Sequence, residues 1–227
     1  MCGDCGCEVA NAEHFQQTVH LEIDVLKKNN HIAHQNHHWF DDHGVMAINL
    51  MSSPGSGKTA LLEKTSQDFK DTPFSILVGD QQTDNDATRL QLSGARVRQI
   101  TTHSSCHLDA SMIEKELDFV KEKLLIIENV GNLVCPSAFD LGESKRVALL
   151  STTEGEDKPE KYPVLFNKAD LIIITKSDLI PYLDWDEEKC LDSIRKVNPK
   201  ARIIKISSKT GEGMKLWYDF LRENTCA

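Results

Sequence analysis

The sequence has no apolar run approaching the roughly 18–20 residues that would span a bilayer. Its best apolar runs, Leu124–Ile127 and Leu171–Thr175, have the length of strands. The first residues, MCGDCGCE, contain neither a basic region nor an apolar stretch, so they lack the features of a secretory signal peptide. We therefore expect a cytoplasmic protein without a membrane segment.

An excess of positive charge is also missing. The 227 residues include 26 Lys and Arg against 35 Asp and Glu, a formal net charge of -9. This argues against binding to nucleic-acid phosphates or to anionic lipid. The composition also argues against a disulfide framework, because the seven cysteines are odd in number and the expected compartment is reducing.

Short apolar segments alternate with helical segments along most of the chain. This pattern predicts an α/β protein with a mostly parallel sheet and helices on both faces. The predicted strands are Val45–Met51, Phe74–Val78, Arg96–Ile100, Lys123–Ile127, Arg146–Ser151, Leu171–Thr175 and Arg202–Ile206. The predicted helices between and after them are Ala60–Phe69, Ala87–Leu92, Leu108–Phe119, Asp186–Val197 and Met214–Glu223.

A phosphate-binding loop is predicted at Ser53–Thr59 (SPGSGKT), which follows a strand and opens a helix. Its glycines, Gly55 and Gly57, allow backbone N–H groups to turn toward phosphate oxygens, and Ser56 lies between them. The loop departs from the usual pattern at Ser52, where a glycine is expected. Because the context is otherwise complete, we predict nucleotide binding here.

The predicted catalytic and magnesium residues surround this loop. Lys58 should reach the β- and γ-phosphates, and the Thr59 hydroxyl should ligate Mg²⁺. Asp80 and Glu128 follow predicted strands, so they should lie at the carboxyl edge of the sheet and hold Mg²⁺ directly or through water. Gly131 is expected to offer its N–H to the γ-phosphate. Lys58, Asp80, Glu128 and Gly131 are therefore the predicted catalytic residues, and since no obvious glutamine follows to orient water, slow hydrolysis is expected.

Guanine is the predicted base. Thr175-Lys-Ser-Asp178 resembles the Asn-Lys-x-Asp motif of GTPases, with Thr in place of Asn. The Asp178 carboxylate can accept hydrogen bonds from guanine N1–H and N2–H₂, a donor pair that adenine lacks, while Lys176 packs along the base. A second guanine-contacting motif is predicted at Ser207, Ser208 and Lys209.

These motifs divide the chain into three parts. Residues 1–12 are predicted to be a flexible Cys-rich metal-binding tail, and residues 13–43 a His-containing helix. The helix prediction rests on apolar residues at Val19, Ile23, Leu26 and Ile32, with Gly44 as the stop signal. Residues 44–227 form the predicted GTPase domain.

Cysteine and histidine are concentrated in two regions, and both side chains are ligands for Zn, Ni and Cu. Cys2, Cys5 and Cys7 place three thiols near the N-terminus, with glycines that permit a tight wrap around one ion. Cys106 and His107 are adjacent, and adjacent residues do not easily hold one ion alone. Two copies of the chain across a two-fold axis would supply four ligands.

The segments CGDCGC, SSPGSGKT, GDQQTDNDATRL, CHLDA, ENVGNLVCP, TTEGEDKPEKYP and GEGM together resemble the HypB family, the nickel-inserting GTPases of [NiFe]-hydrogenase maturation. The likeness covers essentially the whole chain and is densest over residues 45–213. It implies the SIMIBI class of P-loop GTPases, GTP/GDP and Mg²⁺ as cofactors, and a homodimer that depends on GTP or metal. It also implies delivery of Ni²⁺ to a hydrogenase large subunit alongside other maturation factors, with no nucleic-acid or membrane partner.

The same resemblance implies roles for the two metal clusters. Cys2, Cys5 and Cys7 look like the high-affinity nickel site, with the amino group of the chain as a further ligand. Cys106 and His107, with Cys135, look like a nickel or zinc site at the dimer interface that responds to the nucleotide.

Three alternatives remain open from the sequence. A urease accessory GTPase would share the fold and load nickel, but its metal motif is Cys-Pro-His, whereas Cys106 and His107 are adjacent. A small-molecule kinase would use the same phosphate loop but would need an arginine-rich lid, and the predicted guanine motif argues against it. A nickel-storage protein with a regulatory GTP site would differ in how GTP turnover responds to Ni²⁺.

Overall fold

The computed structural model describes residues 7–81, 84–103 and 105–225. Within them, seven strands form one sheet in the order β3-β2-β4-β1-β5-β6-β7, and every neighbouring pair is parallel. The α/β class is therefore confirmed, and each predicted strand is present. The strands are β1 (Met46–Met51), β2 (Phe74–Asp80), β3 (Arg96–Thr101), β4 (Leu124–Glu128), β5 (Lys145–Ser151), β6 (Leu171–Thr175) and β7 (Arg202–Lys205).

Helices cover both faces of this sheet. In chain order they are α1 (Cys7–His43), α2 (Lys58–Asp68), α3 (Asn85–Leu92), α4 (Ala110–Glu114), α5 (Cys135–Ala138), α6 (Lys158–Lys161), α7 (Pro163–Asn167), α8 (Glu187–Val197) and α9 (Met214–Thr225), with 3₁₀ turns at Leu117–Phe119 and Ser177–Tyr182. The predicted single helix over 108–119 is wrong. After Ile113 the backbone bonds tighten to the three-residue spacing of a 3₁₀ turn, with Glu116 N–H donating to the Ile113 carbonyl.

The first helix is longer than predicted and buries a different face. It begins at Cys7, so residues 7–12 are helical rather than part of a flexible tail, since neither glycine nor proline interrupts the chain from there to Gly44. Ile23 is 42% exposed, which contradicts the predicted apolar face. The buried residues are instead Asn29, Ala33, Asn36 and Phe40, at helical spacings of four, three and four.

Hydrogen bonds explain why two asparagines occupy the buried face of α1. Asn29 donates to the Asp140 carbonyl at 2.8 Å and accepts from the Ala110 N–H at 2.9 Å. Asn36 donates to the carbonyls of Ala110 (2.9 Å) and Leu141 (3.0 Å). Both groups of the Asn29 amide and the NH₂ of Asn36 thereby regain bonds that they lost to water, so α1 is held to the start of α4 and to the loop before β5.

The alternation of side chains along the strands divides the core between the two faces of the sheet. One face packs against α2 and α9, where the fully buried Trp217 donates to the Thr65 hydroxyl at 2.9 Å. The other face packs against α1 and α4, and further along against α7 and α8. No helix in the described part of the chain is long and apolar enough to cross a membrane.

The sheet topology places the functional motifs at one edge. Because all strands are parallel, their carboxyl ends meet there. The chain runs from β1 toward β2 on one side and, after β4, toward β5 on the other, which opens a crevice beside the ends of the central strands. The loops that leave β1, β2, β4 and β6 all carry predicted site residues, so the fold brings them to this crevice.

A glycine pair tests the contact between α1 and the main domain. A Cβ on Gly142 (φ +88°) would lie 2.5 Å from the Ala33 carbonyl oxygen of α1, whereas a Cβ on Gly94 (also φ +88°) would meet nothing within 4 Å. Both Gly→Ala changes should cost about 1–2 kcal/mol for a left-handed backbone. Gly142→Ala should lose about 1–3 kcal/mol more through the clash. Urea unfolding measures both, and equal losses would contradict the packing of α1.

Candidate nucleotide site and metal cluster

A pocket of about 420 Å³ opens beside the phosphate loop, where the ends of β2 and β4 approach the start of α2. The fold brings seven of the predicted residues together around it: Gly55, Gly57, Lys58, Thr59, Asp80, Glu128 and Gly131. Positive φ angles at Gly55 (+73°) and Gly57 (+98°) give the loop a backbone that glycine adopts without strain. The pocket has the composition of a site for a phosphate chain and a cation.

Lys58 is buried at the first position of α2. Its Nζ donates to the Ser52 hydroxyl at 3.0 Å, and Ser52 in turn donates to the Ser53 carbonyl at 2.8 Å. Burial lowers the pKa of Lys58, an effect that the nearby Glu128 carboxylate opposes. Ser52, which departs from the expected glycine, therefore holds the lysine by a hydrogen bond, a role that sequence analysis did not assign.

Glu128 has a buried carboxyl group beside Thr59. The Thr59 hydroxyl donates to Glu128 Oε1 at 2.8 Å, while the buried Oε2 has no hydrogen-bond partner among the described residues. Burial raises the pKa of Glu128 to about 7, partly offset by Lys58. A buried carboxylate oxygen without a donor, next to a threonine hydroxyl, is a donor set that suits a hard cation such as Mg²⁺.

Two residues of α3 were not predicted from the sequence. Asp86 and Arg89 also line the phosphate pocket, and Arg89 forms an ion pair with Glu63 at 2.7 Å. Both lie in the segment GDQQTDNDATRL, and their spacing of three residues, which places them on one face of a helix, could have indicated that they act together. They place one carboxylate and one guanidinium beside the predicted phosphate position.

The loop after Glu128 lies directly on the phosphate loop. A Cβ on Gly131 would come within 2.9 Å of the Pro54 Cα, so glycine is required for this close approach. The predicted γ-phosphate contact of Gly131 is therefore sterically reasonable, because its backbone lies against the loop that would carry the phosphates.

A second cavity, of about 360 Å³, adjoins the first and shares Gly57 and Ala60 with it. It is lined by Thr175, Lys176, Asp178, Ser208 and Lys209, all from the two predicted guanine motifs. A nucleotide whose phosphates lie in the first cavity would place its base in the second.

Hydrogen bonds fix the walls of this second cavity. The Thr175 hydroxyl donates to the Ser56 carbonyl at 2.7 Å, so the threonine that replaces asparagine ties the base motif to the phosphate loop. Asp178 accepts from the Ser207 hydroxyl at 2.6 Å, which links the two guanine motifs. The side chain of Ser56 is turned away toward Glu154, to which it donates at 2.8 Å.

A thiol and imidazole cluster lies where the loop after β3 meets the loop after β4. One ligand atom each from Cys106, His107 and Cys135 lie within 4.8 Å of one another, the closest grouping of this kind in the described part of the chain. Cys106 Sγ and His107 Nδ1 are 3.9 Å apart, and the His107 ring stacks on Phe139 at 3.9 Å between centroids. One chain therefore brings three ligands together, although adjacent Cys and His were expected to need a second copy.

Protonation in this cluster suits a metal ligand set. Burial lowers the pKa of His107, which favours the neutral imidazole that binds metals. The pKa of the Cys135 thiol is raised first by its hydrogen bond with Cys106, then by burial and by repulsion between the two thiolates. A bound divalent cation would remove that repulsion and release the thiol protons. Of the N-terminal cluster, Cys2 and Cys5 lie outside the described residues, and only the backbone of Cys7 is described.

The parallel sheet, the phosphate loop and the adjoining base cavity define a P-loop nucleotide-binding protein of the SIMIBI class. The same fold occurs in the signal recognition particle 54 kDa protein of Aeropyrum pernix, with a TM-score of 0.52 at 15% identity over 75% of this chain and 42% of that one. At that identity the likeness concerns the fold alone.

Within this class the chain belongs to the HypB family. Residues 46–205 match the family described as "CobW/HypB/UreG, nucleotide-binding domain". The hydrogenase maturation factor HypB of Escherichia coli K12 is 49% identical over 216 residues, which cover 93% of this chain and 74% of that protein. The "Hydrogenase/urease maturation factor HypB" of Helicobacter pylori 26695 is 42% identical, over 92% of this chain and 88% of that protein. A crystal structure of HypB from Helicobacter pylori in complex with nickel superimposes with a TM-score of 0.83, covering 87% of this chain and 95% of that one.

The buried Glu128 predicts an unusual pH dependence of stability. Below its ordinary pKa of 4.5 the group is protonated in the folded and unfolded chain alike; toward pH 7 only the unfolded chain has lost the proton. The contribution of Glu128 to the free energy of unfolding should therefore fall by about 3 kcal/mol as the pH rises from 4.5 to about 7. Urea unfolding in the absence of nucleotide and Mg²⁺ should show that Glu128→Gln removes this loss. The exposed Glu160→Gln serves as the control, and an unchanged slope in Glu128→Gln would contradict the assignment.

Proposed function

We propose that this protein is a GTP-hydrolysing metallochaperone that binds nickel and delivers it during [NiFe]-hydrogenase maturation. One observation carries the proposal: the segment from Glu128 to Cys135 lines the phosphate pocket at one end and supplies a thiol to the metal cluster at the other. A nucleotide and a metal ion bound at these places would share one short stretch of backbone. The names of the HypB relatives support the hydrogenase role.

Guanine selectivity rests on Asp178. Its carboxylate is the group in the second cavity that can accept from both N1–H and N2–H₂ of guanine, and Lys176 and Lys209 line the walls beside it. Adenine would leave the second Asp178 oxygen, the one that does not accept from Ser207, desolvated and without a donor, which costs more than a missing contact. GTP and GDP are therefore the proposed nucleotides.

Hydrolysis would use the residues of the phosphate pocket. Lys58 neutralises charge on the β- and γ-phosphates, and the Gly131 N–H stabilises charge that develops on the terminal phosphate. Thr59 and Glu128, with Asp80, would hold Mg²⁺, which supplies further neutralisation of the phosphate oxygens. Since no glutamine next to Gly131 orients an attacking water, we propose slow intrinsic turnover.

Nickel is the cargo in this proposal, and two sites would hold it. Cys106, His107 and Cys135 form the site of the GTPase domain, which could also accept zinc, because thiolate and imidazole bind both ions. Cys2, Cys5 and Cys7 form the proposed N-terminal site. We further propose a homodimer that depends on GTP or metal, in which a second copy completes the coordination around Cys106 and His107, and cooperation with other maturation factors in the cytoplasm.

Urease is a second candidate recipient of the nickel. The observation in its favour is the name of the Helicobacter pylori relatives, which covers hydrogenase and urease maturation. Activation of each apo-enzyme by the nickel-loaded chain with GTP distinguishes the two recipients. A storage protein would release nickel to neither in a GTP-dependent way.

Base specificity gives the first test of this function. Asp178→Asn replaces an acceptor by a donor, so guanine loses a charge-assisted hydrogen bond while xanthine gains a partner for its O2. GTP affinity should fall about 10- to 100-fold and xanthosine triphosphate should bind better, as measured by displacement of a fluorescent nucleotide. The exposed Asp170→Asn should change neither affinity. Stronger ATP binding by the unmodified chain would contradict the proposal.

Coupling of metal release to hydrolysis gives the second test. Loss of even an outer partner of a metal typically costs about 10- to 100-fold in affinity, so Cys135→Ala should bind Ni²⁺ at the GTPase-domain site at least about tenfold more weakly. Release monitored with a colorimetric chelator should then no longer follow GTP turnover. Cys190→Ala, which removes a thiol buried in the core away from the cluster, is the matched control. Release that still follows turnover in Cys135→Ala would refute this role.

A further inference from the structure

Asn129 lies between the phosphate pocket and the cluster of Cys106, His107 and Cys135. Neither the sequence motifs nor the proposed function gives it a role. It follows Glu128 at the end of β4 and is 1% exposed. Its backbone N–H donates to the Leu50 carbonyl of β1 at 3.0 Å, which anchors its main chain to the sheet. The side chain is therefore free to serve the loops on either side rather than the sheet.

The side-chain oxygen of Asn129 joins those loops. Asn129 Oδ1 accepts from the Val130 N–H at 2.9 Å, on the way to Gly131 and the phosphate pocket. The same oxygen accepts from the Leu108 N–H at 3.2 Å, next to His107 of the metal cluster. One buried atom thus holds the backbone of the phosphate-facing loop and the backbone of the cysteine-histidine loop together.

The orientation of this amide is set from the opposite side by a chain of buried polar groups. Asn129 Nδ2 donates to Asn49 Oδ1 at 3.2 Å, and Asn49 Nδ2 donates to Glu143 Oε1 at 3.2 Å. Glu143 is held by the Arg146 guanidinium at 2.7 Å and by the Leu141 N–H at 2.7 Å.

The groups at the two ends of this series of hydrogen bonds allow only one orientation of the Asn49 and Asn129 side-chain amides. A carboxylate at one end accepts only, so Asn49 must present its NH₂ there and its oxygen to Asn129. Two backbone N–H groups at the other end donate only, so Asn129 must present its oxygen to them. Turning either amide over would place donor against donor or acceptor against acceptor in a buried site, which is costly.

We propose that Asn129 is the positioning residue through which the nucleotide state reaches the metal cluster. This inference rests on the proposed function, because it requires that nucleotide and metal affect each other. When the loop at Val130 and Gly131 moves to bind a terminal phosphate, the shared oxygen must either move with it or release the Leu108 N–H. Both outcomes displace Cys106 and His107 relative to Cys135, since Cys135 lies on the moving segment.

The test measures coupling rather than activity. The full-length chain with Cys2, Cys5 and Cys7 replaced by Ala leaves one nickel site to titrate, and Ni²⁺ is titrated against a chromophoric chelator with GDP and with a nonhydrolysable GTP analogue. The ratio of the two nickel Kd values is the readout, expected to be about fivefold or more in this background. Asn129→Ala should bring the ratio to within about twofold of one. By linkage, the nucleotide Kd measured with and without Ni²⁺ must give the same ratio.

Two further variants separate positioning from general damage. Asn129→Asp retains an oxygen for both N–H groups, so it should restore more of the ratio than Asn129→Ala leaves, although its second oxygen faces Asn49 Oδ1 and lowers stability. Asn198→Ala removes another buried amide, which donates to the carbonyls of Phe166 and Ala169 and contacts no member of the relay, and it should leave the ratio unchanged. A ratio lost equally in Asn198→Ala would mean that destabilisation alone abolishes coupling and would overturn the inference.

The remaining outcomes are also decisive. A full ratio in a folded Asn129→Ala variant overturns the inference but leaves the proposed function intact. A ratio of one in the background chain overturns the nucleotide–metal coupling and the inference with it. If circular dichroism shows that Asn129→Ala does not fold, Asn49→Ser decides, because Asn49 only orients the Asn129 amide: a reduced ratio supports the inference and an unchanged ratio overturns it.

Discussion

The backbone between Glu128 and Cys135 is the constraint on which the site depends. This segment leaves the edge of the sheet at the phosphate pocket and reaches the thiol cluster without returning to the sheet. At Gly131 it lies so close to Pro54 that no side chain fits between them. Because close-packed contacts transmit strain, a displacement at one end of this segment is passed on to the other end.

Buried polar groups, rather than apolar packing alone, hold the surrounding elements in place. Asn29 and Asn36 fix α1 to Ala110 at the start of α4, and Asn49 fixes the orientation of the Asn129 side chain. Each of these amides would destabilise the fold if its partners moved away, so their positions are strongly specified. A few buried side-chain atoms lack a hydrogen-bond partner among the described residues, and they include Glu128 Oε2 and the Asn36 oxygen. Glu128 lines the phosphate pocket, so its free oxygen lies where a cation would need a ligand.

Much of the fold was predictable because it depends on local patterns. All seven strands were predicted within a few residues, since most are short apolar runs buried on both faces, while the edge strand β3 is an alternating and more exposed segment. The buried face of α1 was predicted wrongly, because Asn29 and Asn36 read as polar while their bonds to Ala110 and to the loop at 140–141 are invisible in the sequence. The roles of Ser52 and Thr175 were missed for the same reason: each replaces the residue of a familiar motif, and its partner lies elsewhere in the chain.

The sequence was enough to predict the phosphate loop, the two proposed guanine motifs and the resemblance to the HypB family, because in each the residues concerned are neighbours along the chain. The tertiary structure decided which distant residues meet. It brought Cys135 to Cys106 and His107, joined the two cavities at Gly57, and placed Asn129 between the loop at Val130 and Gly131 and the loop at Cys106 and His107. The physical reason is the parallel sheet, whose strand order cannot be read from local patterns but which brings the carboxyl ends of all its strands, and the loops that follow them, to a single edge.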